Sequence, residues 1–478
     1  MTEQVQQKEE PKLHHNLLEL PKDRKASDVV GERHEMVLLI EVAKSNPNGD
    51  PDTGNMPRMQ PDTLKGLMTD VCLKRKIRNF FSLYHPNGKP LNDGALEGHR
   101  IFIREGAVLQ EQIEDDSVKE NAKELFKQWF LSEVDKLGET DQKKTLKAAI
   151  SGTPNNAASQ EKLFKEISKR YQAAWEGKKQ KKKPKADSDD EGEADSLNPE
   201  VSPGKKKKQD PVLEELDRIL KNSKEHLDCA WRDALCKTYL DVRYFGGVVS
   251  TEGPLKGSFY GQIRGPIQMS FAESLDRILQ LDFSITRCAS SSEDQEANSE
   301  GDEGSHRTMG RKHLVDYAIY CCHIYFSPAF AARTGFTYYD LDNFLFALKH
   351  MFTDDKAAPR TGMRVVGLID FQHSTALGNE HAHKLFDRVK VDRADIDDKG
   401  KPTKEFPQSI ADYSGNLKAM KFEDVKKEDP CQIPFAVVRE KDEGGDGKGL
   451  VIARKIVWEF REAAKEGKDV EAVAEERV

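Results

Sequence analysis

The stretch that decides the fold runs from Met36 to Arg58: MVLLIEV (36–42), AKS (43–45), then NPNGDPDTGNMPR (46–58). The apolar run predicts a strand over about 35–43. The segment after it is rich in Asn, Asp, Gly and Pro, which predicts a stiff loop with exposed backbone N–H groups. Beyond it, Gln60-Pro61-Asp62-Thr63 leads into a helical pattern over about 63–81 that carries Lys74, Arg75, Lys76 and Arg78. Strand, pinned loop, basic helix is an order suited to gripping a phosphate backbone. An ordinary surface turn has the same composition, so the loop alone leaves both readings open.

In that predicted helix, Leu64, Leu67, Met68 and Val71 share a face that Lys74, Arg75 and Arg78 continue, while Leu73, Ile77, Phe80 and Phe81 point the other way. The basic end is either a binding face or a solvated terminus favoured by the helix dipole. From Lys44 to Arg104 there are ten Lys/Arg against six Asp/Glu, a balance of +4 in a chain whose net charge is −8. Local field governs binding more than total charge does.

The 478 residues allow two or three domains, or one domain with large insertions. Apolar content of 37%, charged content of 33% and a mean hydropathy of −0.73 predict that part of the chain is disordered. No apolar run reaches eighteen residues, which predicts no membrane span. The N-terminal MTEQVQQKEEPKLHH has no apolar h-region, which predicts no secretory signal. Seven cysteines, an odd number without CxxC, fit free thiols in a reducing cytoplasm.

Further along, HRIFIR (99–104), TYLDVRYFGGVV (238–249), GQIRGPIQMSF (261–271), Leu314–Phe326 and MRVVGLIDF (363–371) read as strands. Thr337-Tyr338-Tyr339-Asp340 resembles a capping box opening a helix with Leu341, Phe344, Leu345, Leu348 and Phe352 as its core stripe. Six lysines in 178–185, six acids in 187–195 and lysines 205–208 read as a disordered linker, although such a tract can also touch nucleic acid nonspecifically. Residues 289–305 read as a second acidic loop, 433–439 as a strand and 450–465 as a terminal helix.

The predicted organisation is therefore a flexible leader (1–33), the first half of a core (34–106), a helical, charged, partly disordered insertion (107–228), the second half of the core (229–392) and a polar C-terminal extension (393–478). With the insertions removed, the order is strand, helix, strand, strand, helix, strand. The fold class is α+β, with a modified RRM/ferredoxin-like core: a split βαβ antiparallel sheet bearing thumb-like and disordered insertions. RNA-recognition domains use such a sheet as a platform, as do many enzymes for other purposes.

No GxxxxGK[ST], HExxH, GxSxG or strand-linked GxGxxG occurs. Asp370, His373, His381, His383 and Asp387 invite a metal reading, but isolated histidines on a polar segment more often serve as hydrogen-bonding residues. No metal, cofactor or catalytic residue is assigned. Arginine beside glycine and aromatic residues recurs at Arg243-Tyr244-Phe245-Gly246, at Gln262-Ile263-Arg264-Gly265, at Arg287 and at Arg307/Arg311/Lys312. Arginine pairs bidentately with phosphate and stacks on bases, and several such segments favour an extended groove over a compact pocket.

Taken together, NPNGDPDTGNMPR, TDVCLKRKIRNF (69–80), IFIRE (101–105), DVRYFGGV (241–248), GQIRGPIQMSF, SITR (284–287), RTMGRKH (307–313) and LGNEHAHKLFDRV (377–389) resemble, in content and order, the backbone subunit of CRISPR Cascade complexes. This is the Cas-seven group of the RAMP superfamily, and the type I-C version is the most similar. The resemblance implies an RRM-like fold with a protruding thumb and copies stacked as a helical filament along one guide RNA. It implies a target DNA strand paired with the guide, and guide-end cap and large subunits as further partners in the prokaryotic cytoplasm. It also implies no catalytic role, since a separate helicase-nuclease cuts. An RNA-processing endonuclease of the same superfamily, using His381 or His383, is the rival. The RNA contacts expected on this reading are Asn46, Asn48, Gly49, Arg58, Lys74, Arg75, Arg78, Arg243, Gln262, Arg264, Arg287, Arg307, Arg311 and Lys312. Gly54, Gly261 and Gly265 would shape the backbone beside them. The chain is longer than such relatives through 107–228, 289–305 and the tail after 392. A variant lacking residues 178–208 is expected to keep most of its RNA affinity in a filter-binding titration; abolished binding would transfer the interaction to the lysine tracts.

Overall fold

The computed structural model describes residues 12–91 except 16, 19 and 22, residues 97–135, 223–287 except 252, 308–416 except 388, the strands 436–440 and 451–458, and single helical positions at 148, 169, 170, 218 and 219. In chain order the elements are β1 (His34–Ser45), β2 (Gly49–Asp50), β3 (Met56–Pro57), β4 (Lys65–Met68), α1 (Asp70–Leu83), α2 (Leu109–Ile113) and α3 (Asp116–Asp135). Then come α4 (Lys224–Thr238), α5 (Leu240–Phe245), β5 (Gly246–Val248), β6 (Gln262–Arg264), β7 (Ile267–Met269), β8 (Ala272–Arg277), β9 (Gln280–Arg287) and β10 (Thr308–Phe326). The remainder is α6 (Pro328–Thr334), α7 (Tyr338–His350), β11 (Gly362–Gln372), α8 (Ala382–Phe386), β12 (Lys390–Arg393), β13 (Tyr413–Asn416), β14 (Ala436–Glu440) and β15 (Val451–Trp458). The chain divides into two compact units. One comprises residues 1–101, 243–245 and 264–478, the other 102–242 and 246–263.

The first unit is built on a nine-stranded sheet in the order β14-β15-β11-β1-β10-β8-β4, with β7 and β9 also pairing with β10. Its pairings are antiparallel. β1 lies between β10 and β11, with Leu39 opposite Cys321 on one side and Gly367 on the other. Its residues 36–40 and 42 are buried, as expected of a strand covered on both faces. One face carries Val37, Leu39, Tyr317, Ile319 and Val366, and Leu385, Phe386 and Tyr413 cover it. On the other, an aromatic chain runs from His34 through Phe326, Phe336 and Tyr244 to Phe344 on α7 and Phe81 on α1. The α7 capping box is formed as the sequence predicts, with Thr337 and Asp340 bonding reciprocally.

The second unit packs α3 against α4 around Phe102, Val118, Ala122, Ala234, Leu235 and Tyr239. The Tyr239 hydroxyl donates to the Gln112 carbonyl at 2.8 Å.

Several expectations change. The helix predicted over 63–81 is two elements: Leu64 adopts φ +57, Lys65–Met68 is a strand paired with β8, and Thr69 starts α1 by accepting from Cys72 N. A left-handed residue cannot continue a helix. HRIFIR forms no named strand. Instead the Asp241 carboxylate takes the Phe102 and Ile103 N–H groups at 2.7 and 3.1 Å. Within 238–249, the segment Leu240–Phe245 is helical until Gly246, at φ +76, ends it. Residues 451–458 of the predicted terminal helix form a strand paired with β11, because an open sheet edge there satisfies the backbone. The leader is anchored in its described part: Leu17, Leu18, Ala26 and Val30 are buried, and the Asp342 carboxylate accepts from the backbone N–H of His14, His15 and Leu17. The lysine and acid tracts of 178–208 and the loop 289–305 lie outside the described residues.

Cys72, Cys229, Cys236, Cys321 and Cys322 are free thiols, and burial pushes Cys321 and Cys322 up to about 12, which leaves them inert. A Cβ on Gly362 would sit 2.1 Å from the Ala43 carbonyl across the β1–β11 pairing. Gly362→Ala is expected to cost about 1–3 kcal/mol in urea unfolding by forcing the strands apart; an unchanged midpoint would show that this pairing yields easily.

Candidate nucleic-acid interface

The loop after β1 is held by its own polar side chains. Asn46 N donates to the Pro359 carbonyl at 2.6 Å, and Asn46 Nδ2 to the Asn55 carbonyl at 2.8 Å. Asn48 Oδ1 accepts from both N and Oγ of Thr69, at 3.0 and 3.1 Å, tying the loop to the N-cap of α1. Arg58 N donates to the Asn48 carbonyl at 3.0 Å, and its Nη1 lies 3.4 Å from the Asp50 carboxylate. Gly54 and Asn55 both take left-handed backbones at the tip. A Cβ on Gly49 would meet Asn55 Oδ1 at 1.8 Å, so a larger residue there would have to displace the Asn55 side chain.

On α1, Lys74 pairs with Asp70 at 2.8 Å, and Lys74 and Arg78 both lie over the Phe245 ring, 5.7 and 5.4 Å from its centroid. Arg78 is buried, Arg75 half-buried, and the buried Lys76 pairs with Asp355 at 2.6 Å. The basic face read from the sequence is thus partly absorbed into the protein.

Arg243 is engaged internally. Its Nε donates to Asp340 Oδ2 at 3.1 Å and its Nη2 to Oδ1 at 2.8 Å, with a further bond to the Gly98 carbonyl at 3.0 Å. Burial alone would raise the Asp340 carboxyl. The Arg243 charge, its hydrogen bond and the Thr337 N–H outweigh that and hold it below the usual value.

Gln262 and Arg264 stand exposed on β6 with Ile263 turned inward between them. β10 pairs with β1 only from Val315 onward, so its earlier residues form a two-stranded ribbon with β9. On that ribbon Arg311 is exposed and bonded to Asp282 at 3.1 Å, Lys312 is half-buried opposite Phe283, and Phe283 and Ile285 are exposed. Arg287 is on β9, its side chain outside the description, and Arg307 lies outside the described residues.

The metal-suggestive residues do not converge. Asp370 pairs with His34 at 3.0 Å and His373 with Glu35, while the His381 and His383 rings stack at 5.7 Å. Among the described residues no group of three His, Cys, Asp or Glu is placed to hold a metal.

Sequence reasoning missed the far wall of the loop. A cavity of about 110 Å³ is lined by Asn46, Asn48, Gly49, Cys72, Lys76 and Arg360, among others. Arg360 arrives from a segment some three hundred residues away, and no local pattern marks it.

The sequence profile of the family CRISPR-associated protein Cas7 matches residues 32–135 and 158–418. The chain belongs to the Cas7 family. A curated relative, the CRISPR-associated protein Cas7 of Haloferax volcanii, is 45% identical over 47 residues, which are 10% of this chain and 14% of that protein. The chain therefore covers only a small part of that Cas7 protein's length. A solved chain described as "CRISPR RNA-guided surveillance complex, pre-nicking" aligns over 71% of this chain and 78% of its own, at 13% identity and a TM-score of 0.30.

The Arg243–Asp340 pair generates a test in this Cas7-family chain. Asp340→Ala removes the carboxylate from a buried guanidinium and opens the α7 capping box, and is expected to cost about 3–5 kcal/mol in urea unfolding. Arg243→Met/Asp340→Leu is expected to cost much less. Because the folded carboxyl is depressed, its contribution is full above the unfolded value near 3.8 and is lost as pH falls through the folded one. Wild-type stability should therefore drop more steeply below pH about 4 than that of the double variant; parallel pH curves would remove this pair from the account.

Proposed function

We propose that this chain is a noncatalytic, guide-RNA-binding backbone subunit of a Cascade-like CRISPR complex in the prokaryotic cytoplasm. Copies stack along one guide RNA, hold its backbone and leave its bases available to a target DNA strand, alongside guide-end cap and large subunits. Sequence specificity then comes from base pairing while the protein reads backbone and shape. The observation that carries the reading is the braced loop 46–58 beside α1, at the end of the central strand of a Cas7-family chain.

The sheet order β11-β1-β10-β8, with α1 after β1 and α7 between β10 and β11, supports an RRM-like core. The proposed backbone contacts are Arg58, Lys74, Arg75, Gln262, Arg264, Arg287, Arg307, Arg311 and Lys312. Asn48 and Gly49 keep the loop in shape, and Arg78 and Arg243 act chiefly within the protein, over Phe245 and on Asp340. The β9–β10 ribbon is the proposed thumb.

If several phosphates are neutralised per copy, log affinity for single-stranded RNA should fall against log salt with a slope of roughly −0.7 for each. A flat salt response would sink the proposal. Electron microscopy of the chain co-expressed with guide RNA should show protein at regular intervals along the strand. Repeat RNA should stay intact on incubation, and cleavage that disappears in His381→Ala/His383→Ala would reassign the chain to RNA processing.

A further inference from the structure

The cavity beside the loop holds an unusual polar inventory. Asn46 is only 7% exposed, and its Oδ1 has no hydrogen-bond partner. The orientation of this amide is set by Nδ2, which must donate to the Asn55 carbonyl, so the oxygen is the atom left over. Arg360 also lines the cavity, and its buried Nε makes no hydrogen bond. Two cations, Lys76 and Arg360, share one carboxylate: Lys76 pairs with Asp355, and Arg360 Nε lies 3.9 Å from it.

This inventory selects the ligand's chemistry. An unpaired buried acceptor needs a hydrogen from its ligand, and a phosphodiester has none to give. An anion would face the Asn46 oxygen with no hydrogen to offer it. The group that fits both atoms donates one hydrogen and accepts another, as a hydroxyl does. The volume of about 110 Å³ is several times the ~10–15 Å³ that one water requires, leaving room for a sugar edge. Resting on the guide-RNA reading above, we infer that this cavity receives a ribose 2′-hydroxyl, which donates to Asn46 Oδ1 and accepts from Arg360 Nε. Asn46 is then the residue by which the chain tells RNA from DNA, a distinction the phosphate contacts cannot make.

The test uses the full-length wild-type chain and short unstructured single strands of one sequence: RNA, DNA, 2′-fluoro RNA and 2′-O-methyl RNA, all at one salt concentration. The 2′-fluoro strand keeps the RNA sugar pucker but lacks the donor hydrogen. RNA is expected to bind roughly tenfold more tightly than 2′-fluoro RNA or DNA. In Asn46→Ala, which also loses the bond to the Asn55 carbonyl, the preference for RNA over 2′-fluoro RNA should disappear, and a retained tenfold preference would overturn the inference. A thermal melt of the variant separates loss of the contact from loss of the fold. Equal wild-type affinity for RNA and 2′-fluoro RNA would overturn the inference and leave the cavity to solvent. Failure to bind any of the four strands would instead overturn the guide-RNA reading itself.

Discussion

The structure hangs on the pairing of β1 with β10 on one side and β11 on the other. A strand buried on both faces and bonded along both edges cannot slide, because a one-residue slip would turn its whole apolar set over. The loop inherits that rigidity where the strand ends. Ser45 Oγ accepts from Gly362 N at 2.9 Å, and Asn46 N donates to the Pro359 carbonyl. The first residues of the proposed RNA groove are therefore set by the approach to β11, and Asn48 passes the constraint on to the start of α1.

Charge pairing then decides which basic residues remain for a polyanion. Arg243 lies on Asp340 and Lys76 on Asp355. Breaking a buried pair costs more than making one yields, so such arginines and lysines are structural commitments. A count of cations along the sequence overstates the binding surface, and the exposed Arg264 and Arg311 are better placed than Arg243.

The sheet itself is closed. RRM domains stack bases on an open sheet face. Here Leu385, Phe386 and Tyr413 cover the face that bears Val37, Leu39 and Tyr317. Tyr413 is fastened by its hydroxyl to Asp276 at 2.6 Å, and Arg393 packs over its ring. The start of the polar extension thus belongs to the core and moves the proposed RNA contacts to loops, α1 and the ribbon.

Much of this was legible in the residues. The long apolar strands β1, β10 and β11 and the Thr337 capping box follow from local periodicity and capping chemistry, which act over a few residues. So does the stiffness of NPNGDPDTGNMPR, and the ordered set of motifs pointed to the family. Local pattern failed where a distant partner outweighed propensity: Lys65–Met68 became a strand because β8 offers it bonds, and Val451–Trp458 because β11 does. The site divides in the same way. The sequence alone marked the loop and its asparagines. Only the tertiary structure brought Pro359 and Arg360 to Asn46, spent Arg243 on Asp340 and left the buried Asn46 amide oxygen without a hydrogen-bond partner, because hydrogen-bond satisfaction depends on which distant groups arrive.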